Sequence, residues 1–375
     1  MSESKEGLDE LRDAVREFLA AKSPERAVRA AMETGLGYDP AVWQQMAQQL
    51  RLPGLALPDE YGGDGFGQTE LGVVLEEMGA ALLCAPFFST VVLAAQALLA
   101  SGDEAACARY LPSIAAGQTV ATLAAAEGNA SWDPAMVSAR AGRGAPGTGA
   151  AGWVITGTKS FVIDGAAADL VLVVARTTAG PSLFAVQRDA PGLRAEPMVT
   201  LDLTRPLAVL TFDQVPAALI GAEGQAGRLM SRVLDLACVA LAAEQAGGAR
   251  RCLEMSADYA RSRYQFGRPI GSFQAVKHKC ADMLVRVELA GATAREAARL
   301  ADEGAAGFPV AAATAHICCS QGYVFAATEN IQVHGGIAFT WEHPAHLYFR
   351  RAKSSELLFG GPAVYHERLL DRLGI

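Results

Sequence analysis

The chain is short of basic residues and lacks basic clusters. Its 32 Lys and Arg residues are outnumbered by 40 Asp and Glu residues, which gives a net charge of -8. Nucleic-acid binding and recruitment to anionic membranes both depend on clustered Lys and Arg. No stripe of basic residues runs through this sequence. Both kinds of partner are therefore disfavoured.

Long apolar runs are also missing, and the few cysteines and histidines form no recognisable pattern. The seven cysteines are irregularly spaced and match neither a disulfide framework nor a zinc site. His343 and His346 lie three residues apart without an acidic or Cys partner, so we predict no metal site. The polar start has no apolar stretch behind it, and no run suggests a membrane span. We expect a cytoplasmic protein.

The sequence changes character twice along its length. Apolar positions such as Leu11, Val15 and Leu19 recur at helical spacing from residue 8 to about 116. Short β-rich runs separated by Gly, Pro and Asp follow from 118 to 221, with a Gly- and Ala-rich hairpin loop expected over 141–152. Long helical patterns return from about 227 onward.

We therefore predict an α+β fold with three domains. An N-terminal α-helical domain covers 1–117, a small antiparallel barrel or sandwich covers 118–222, and a second helical domain, arranged as a four-helix bundle, covers 223–375. This order has no βαβ alternation, which argues against a Rossmann domain. Gly335-Gly336 is therefore not a dinucleotide fingerprint, since no strand precedes it and the third glycine is absent.

Three arginines cluster near the end of the first long helical pattern of the last domain. Arg261, Arg263 and Arg268 stand beside Phe266-Gly267. Guanidinium groups present donors that suit a pyrophosphate, and an aromatic ring offers a face for packing. On charge alone, a solvated basic helix end favoured by the helix dipole explains the same residues. The wider pattern decides between the two.

That wider pattern resembles the acyl-CoA dehydrogenase family in two separate segments. One follows R-x-x-F-G-x-x-I-x-x-x-Q and the other Q-x-x-G-G, and the matching residues are Arg263, Phe266, Gly267, Ile270, Gln274, Gln332, Gly335 and Gly336. Further matches at 58–63 and 157–169 extend the resemblance over nearly the whole chain. It implies FAD as cofactor, an acyl-CoA as substrate, and a helical domain, a β-barrel and a helical domain in that order. In the family, both segments reach the flavin of a neighbouring subunit.

The chain departs from the family where the catalytic base is expected. The family's reaction removes the α-proton of the acyl-CoA with a carboxylate, while the β-hydrogen leaves as hydride to the flavin. Phe359 stands where most members have this Glu, and Ala237 stands at the position that other members use. Neither side chain accepts a proton. Glu244, two helical turns after Ala237, is the remaining candidate; the alternative is a structural Glu, hydrogen-bonded in the core or paired with an arginine across a subunit interface.

Contacts to the flavin ring have changed as well. Where relatives have a T-E-P-like loop, this chain has Ala126-Glu127-Gly128-Asn129, and where relatives have W-I-T-N it has Phe161-Val162-Ile163-Asp164. Both hydroxyls expected near the ring are lost, although Phe161 and Ile163 are expected to remain beside it. The residues expected to contact the flavin of a neighbouring subunit are retained, whereas those expected to contact this chain's own flavin ring are changed.

Three hypotheses follow from this contrast. The leading one is a subunit of an acyl-CoA dehydrogenase built from two unlike chains (α2β2), resembling actinobacterial enzymes that oxidise steroid side-chain CoA thioesters, with a paralogous subunit supplying the base. The second is a self-sufficient homotetramer that uses Glu244. The third is a flavin-free, acyl-binding structural homologue, which the retained arginines disfavour. The resemblance further implies an electron-transfer flavoprotein as the electron acceptor.

Overall fold

The structure, a computed structural model, describes residues 2–144 and 152–375. Residues 141–143 of the hairpin loop expected over 141–152 belong to a strand that pairs with residues 153–155, and residues 145–151 of that range lie outside the described residues. The helices are α1 Ser2–Lys22, α2 Glu25–Met32, α3 Pro40–Gln49, α4 Gln68–Ala80, the π-helical segment Phe88–Ala95, α5 Gln96–Ser101, α6 Glu104–Ala115, α7 Ala226–Ser262, α8 Gln274–Asp302, α9 Phe308–His334, α10 Ala345–Leu357 and α11 Pro362–Leu373. The strands are β1 Ala121–Ala124, β2 Arg140–Arg143, β3 Trp153–Ile163, β4 Leu170–Thr177, β5 Gly180–Gln187, β6 Leu193–Pro197, β7 Leu207–Ile220, β8 Tyr264–Gln265 and β9 Arg268–Pro269.

The chain forms two compact units, each assembled from separate stretches of sequence. The helical unit comprises Met1–Arg29, Gln68–Leu83 and Cys238–Ile375. The barrel unit comprises Ala30–Gly67 and Cys84–Ala237. These units reflect which residues pack together, whereas the boundaries expected at 117 and 222 reflect changes in periodicity along the chain.

A closed ring of strands forms the centre of the barrel unit. β4 pairs with β2, β2 with β3, β3 with β7, β7 with β5, and β5 returns to β4. β1 adds to β4 in parallel, and β6 adds to β7. Residues 170–175 of β4 are buried, which explains why this stretch is continuously apolar rather than alternating. The barrel alternative of the sequence analysis is confirmed.

The register of β3 against β7 shifts inside the segment expected to face the flavin ring. Lys159 lies opposite Leu210 and Val162 lies opposite Ala208, so β3 has one residue more than β7 at this point. The extra residue makes a bulge, and within it Phe161 adopts a φ of 57°. A bulge redirects side chains locally, so the alternation of the strand does not carry through Phe161.

Long helices make up the helical unit. α9 packs against α8, α10 and α11, and α4 packs against α1. Glycines allow α4 and α7 to approach closely. A Cβ at Gly79 would lie 2.0 Å from the carbonyl oxygen of Glu244, and a Cβ at Gly247 would lie 1.7 Å from that of Glu76. The predicted helical architecture is confirmed.

A buried carboxylate ties three of these helical segments together. Glu77 of α4 accepts hydrogen bonds from Arg12 (3.0 Å) and Arg16 (3.1 Å) of α1 and from Arg250 (2.8 Å) of α7. Burial raises the pKa of Glu77, but the hydrogen bonds and charges of the arginines outweigh it and lower the pKa overall. The carboxylate therefore stays charged inside the helical unit.

Within residues 2–144 and 152–375, one helical segment is long and apolar enough to cross a membrane by length and composition. It runs over Phe308–Phe339, and 61% of its most apolar window is buried within the protein. The core helix of a globular protein has the same length and composition. The segment is therefore weak evidence for a membrane span.

Candidate functional site

A short hairpin carries the first candidate segment beyond the end of α7. β8 and β9 are joined by Phe266 and Gly267, whose φ angles are 53° and 76°. Two residues with positive φ make the mirror-image turn that suits a two-residue hairpin. Gly267 adopts it freely, whereas Phe266 does so at a cost of about 1 kcal/mol. The ring of Phe266 is 91% exposed, so the hairpin presents an aromatic side chain at its tip.

Cationic and aromatic groups surround this tip. The guanidinium of Arg268 lies 4.0 Å from the ring centre of Phe273, and the rings of Phe266 and Phe273 meet edge to face at 6.0 Å. The backbone of Arg263 anchors the hairpin, since its N–H donates to Tyr259 and its carbonyl accepts from Ile270, both at 2.8 Å. The side chain of Arg263 is itself exposed.

The second candidate segment lies where α9 ends. Gln332 is exposed on the last turn, and Gly335, with a φ of 67°, terminates the helix by donating its N–H to the carbonyl of Ile331. A Cβ at Gly335 or Gly336 would meet nothing within 4 Å. The glycines therefore leave the backbone open to close approach by a ligand.

These residues fit the pyrophosphate and adenosine end of a flavin dinucleotide. The exposed members of the set offer guanidinium and amide donors together with accessible glycine backbone, and they are Arg263, Phe266, Gln274, Gln332, Gly335 and Gly336. Guanidinium groups bind phosphate oxygens through charge-assisted hydrogen bonds, and exposed rings provide packing surface. All six belong to the helical unit.

The segments expected at the flavin ring belong to the barrel unit and are arranged differently. Ile163 is only 1% exposed, and its carbonyl accepts a hydrogen bond from the hydroxyl of Thr122 at 2.6 Å. Asp164 is also buried and accepts from the hydroxyl of Ser89 at 2.6 Å. Phe161 is half-buried at the bulge. The polar groups of this segment therefore form hydrogen bonds within the barrel unit, with the hydroxyls of Thr122 and Ser89.

An ion pair fixes the neighbouring loop at Glu127. The ammonium of Lys159, which is fully buried, lies 2.8 Å from Glu127 and 3.0 Å from the carbonyl of Ala125. Burial alone would raise the pKa of Glu127, but the backbone N–H of Ala139, the Lys159 ammonium and Ser138 together lower it to about 2. Glu127 is therefore a charged structural group.

The two positions at which the sequence comparison with the family led us to expect a base are buried and apolar. Phe359 is 2% exposed with a φ of 66°, and Ala237 is fully buried. Glu244 lies on α7, and its carboxylate accepts a hydrogen bond from the guanidinium of Arg351 on α10 at 2.8 Å. Both side chains of this pair are buried. The geometry makes Glu244 a member of an intrachain ion pair within the helical unit.

Sequence reasoning left three of these groups unassigned. Lys159 was visible as a lone cation within an apolar strand, and Arg351 was visible in the R-R-A-K run. Tyr259 lies four residues before Arg263, and its ring stacks on His334 of the second segment at 4.3 Å. Nothing in sequence spacing connects Glu244 to Arg351 or Tyr259 to His334, because these pairs form through tertiary packing.

Family comparisons cover most of the chain. Residues 5–118 match the model for the acyl-CoA dehydrogenase N-terminal domain, residues 122–215 that for the middle domain, and residues 226–374 that for the C-terminal domain. The acyl-CoA dehydrogenase IpdE2 of Mycobacterium tuberculosis is 36% identical over 359 residues, which are 96% of this chain and 95% of the relative.

Solved structures agree with the sequence comparisons. A variant of the Tcur3481-Tcur3483 steroid ACAD superposes with a TM-score of 0.88 at 33% identity, covering 99% of this chain and 98% of that one. The ChsE4-ChsE5 complex from Mycobacterium tuberculosis gives a TM-score of 0.85 at 29% identity, covering 98% and 97%. The chain therefore belongs to the acyl-CoA dehydrogenase family, whose members are flavin-dependent oxidoreductases acting on acyl-CoA thioesters with FAD as cofactor.

Proposed function

We propose that this chain is one subunit of an acyl-CoA dehydrogenase built from two unlike chains. In this assembly it lends the hairpin around Phe266 and the segment Gln332 to Gly336 to the FAD of a paralogous partner. The partner supplies the flavin-ring pocket and the catalytic base. The proposal is carried by a contrast between two parts of the chain. The hairpin around Phe266 and the segment Gln332 to Gly336 are exposed and offer donors for phosphate oxygens, whereas the two positions expected for the base are occupied by the buried residues Phe359 and Ala237.

The reaction needs a carboxylate that is free to take the α-proton of the thioester, and FAD, when bound, would supply the acceptor for the β-hydride. Glu244 is engaged by Arg351 at 2.8 Å and is buried with it. Separating such a pair would leave an uncompensated buried charge, at a cost of roughly 3–5 kcal/mol. This cost supports a structural role for Glu244 and a base that lies outside this chain.

The identity of the partner and substrate rests on the relatives. The neighbours Tcur3481-Tcur3483 and ChsE4-ChsE5 are named as two-component structures, and the first is named as a steroid enzyme. We therefore infer a paralogous partner in an α2β2 assembly and a bulky, steroid side-chain acyl-CoA as substrate. We also infer an electron-transfer flavoprotein as acceptor, and a 27% identical structural neighbour named for the electron transferring flavoprotein of Acidaminococcus fermentans supports this inference.

Two neighbouring arginines provide a matched test of the lending role. Arg263 is exposed beside the hairpin, whereas Arg261 forms a surface ion pair with Asp258 at 2.9 Å. In the complex co-purified with the paralogous subunit, we expect Arg263→Gln to weaken FAD binding about tenfold to a hundredfold, the usual range for a charged hydrogen bond. Arg261→Gln should leave FAD affinity unchanged. Equal affinities for both variants would refute the lending role of this arginine.

A further inference from the structure

Three aromatic rings connect the two cofactor segments. Tyr259, in the last turn of α7, stacks on His334, the last residue of α9, with ring centres 4.3 Å apart and planes inclined by 30°. The ring of His334 also contacts the ring of His343, and their ring centres are 4.3 Å apart. Tyr259 precedes Arg263 by four residues, and His334 directly precedes Gly335. The ring stack therefore lies at the root of both segments.

Hydrogen bonds hold the rings of this stack in place. The Nδ1 of His334 donates to the carbonyl of Asn330 at 2.8 Å. The Oδ1 of the same Asn330 accepts from the buried hydroxyl of Ser256 on α7 at 2.9 Å. The Nδ1 of His343 accepts from the N–H of Ala345 at 3.2 Å. The stack and the hydrogen bond from Ser256 to Asn330 join α7 and α9 over one turn of each helix.

From this geometry we infer that Tyr259 and His334 are positioning residues, which hold the hairpin and the Gln332 to Gly336 segment at the separation that one FAD molecule requires. The inference rests on the proposed assignment of both segments to FAD. Each segment alone presents only part of the set, with Arg263, Phe266 and Gln274 on one side and Gln332 and the open glycines on the other. Fixing their separation before binding reduces the ordering entropy that FAD binding must otherwise supply.

The size of the effect follows from the stack. Contact between two aromatic rings is stabilising beyond the effect of the apolar area that it buries, and the extra free energy corresponds to about twofold to tenfold in an equilibrium constant. We therefore expect Tyr259→Leu to raise the FAD dissociation constant by about that factor. Tyr259→Phe keeps the ring and removes only the hydroxyl, so it should bind FAD as the wild type does.

The experiment titrates FAD into the apoprotein of whichever assembly carries flavin, with quenching of flavin fluorescence as the readout. Tyr259→Leu, His334→Leu and the double variant form a cycle, with Tyr259→Phe as the matched control. If Tyr259 and His334 act together, the double variant should lose no more FAD affinity than the single variant that loses more. The midpoint of apoprotein unfolding should be unchanged in Tyr259→Phe.

The outcomes separate this inference from the proposed function. Additive losses in the cycle, or wild-type FAD affinity in folded Tyr259→Leu, would overturn the positioning role. The same titration on the chain alone and on the co-purified pair reports which assembly holds flavin, independently of the variants. Should Tyr259→Leu prove unfolded, the His334→Leu and Tyr259→Phe comparison still decides the matter.

Discussion

Replacing Glu244 with glutamine separates a structural carboxylate from a catalytic one. Glu244→Gln preserves volume but removes the charge opposite Arg351, which lies 2.8 Å away in a buried site. The guanidinium is then buried without its counter-charge, and such single deletions cost roughly 3–5 kcal/mol. We expect a loss of about 3 kcal/mol in the free energy of unfolding. Turnover of the fully folded complex should fall less than threefold, a small change beside the usual effect of removing a base.

Urea unfolding followed by circular dichroism measures the first quantity, and steady-state turnover of the co-purified complex measures the second. Glu244→Leu combined with Arg351→Met removes both charges, and we expect it to recover most of the lost stability because neither charge is left unpaired. If Glu244 were the base, Glu244→Gln would lower turnover by about a hundredfold to ten-thousandfold while stability stayed close to that of the wild type. That result would refute the structural role and favour the homotetramer.

Three further predictions concern stability. The pKa of Glu127 is lowered from 4.5 to about 2, so its contribution to stability is present above pH 4.5 and is lost as the pH falls towards 2. The free energy of unfolding, measured at a series of acidic pH values, should show this loss in the wild type and lack it in Glu127→Gln. Gly247→Ala places a methyl group against the backbone of Glu76, so we expect about 1–3 kcal/mol of destabilisation by urea unfolding, and no change would contradict the close helix contact. Asp302 accepts the N–H groups of Gln68 and Thr69 at the start of α4, and Asp302→Ala should cost about 1 kcal/mol in the same assay, with faster hydrogen exchange in the first turn of α4.

Much of the architecture was predictable because it rests on local patterns. Helical periodicity at both ends and short β-rich runs between them predicted the order of helical and β domains, since each pattern reflects the side of a helix or strand that is buried. The segments around Phe266-Gly267 and Gly335-Gly336 were identifiable as candidates because both carry particular residue types at fixed spacing, although the hairpin at Phe266-Gly267 was not predicted. Both segments indeed lie at the surface of the helical unit.

Other features depend on pairs that are distant in sequence. Glu244 stood out as a carboxylate within an apolar run, but its partner Arg351 lies 107 residues further on. The same holds for Glu77, whose arginines come from α1 and from α7. The alternating pattern of β3 likewise gave no sign of the bulge at Phe161, because one inserted residue becomes visible only against the partner strand.

The central claim, that this chain completes a flavin site on an unlike partner, is tested most directly by flavin content. The visible absorption spectrum would be recorded for the chain expressed alone and for the chain co-expressed with its paralogous subunit. The account predicts little flavin in the lone chain and roughly one FAD per two chains in the co-purified complex. A full complement of FAD in the lone chain, with turnover, would contradict it.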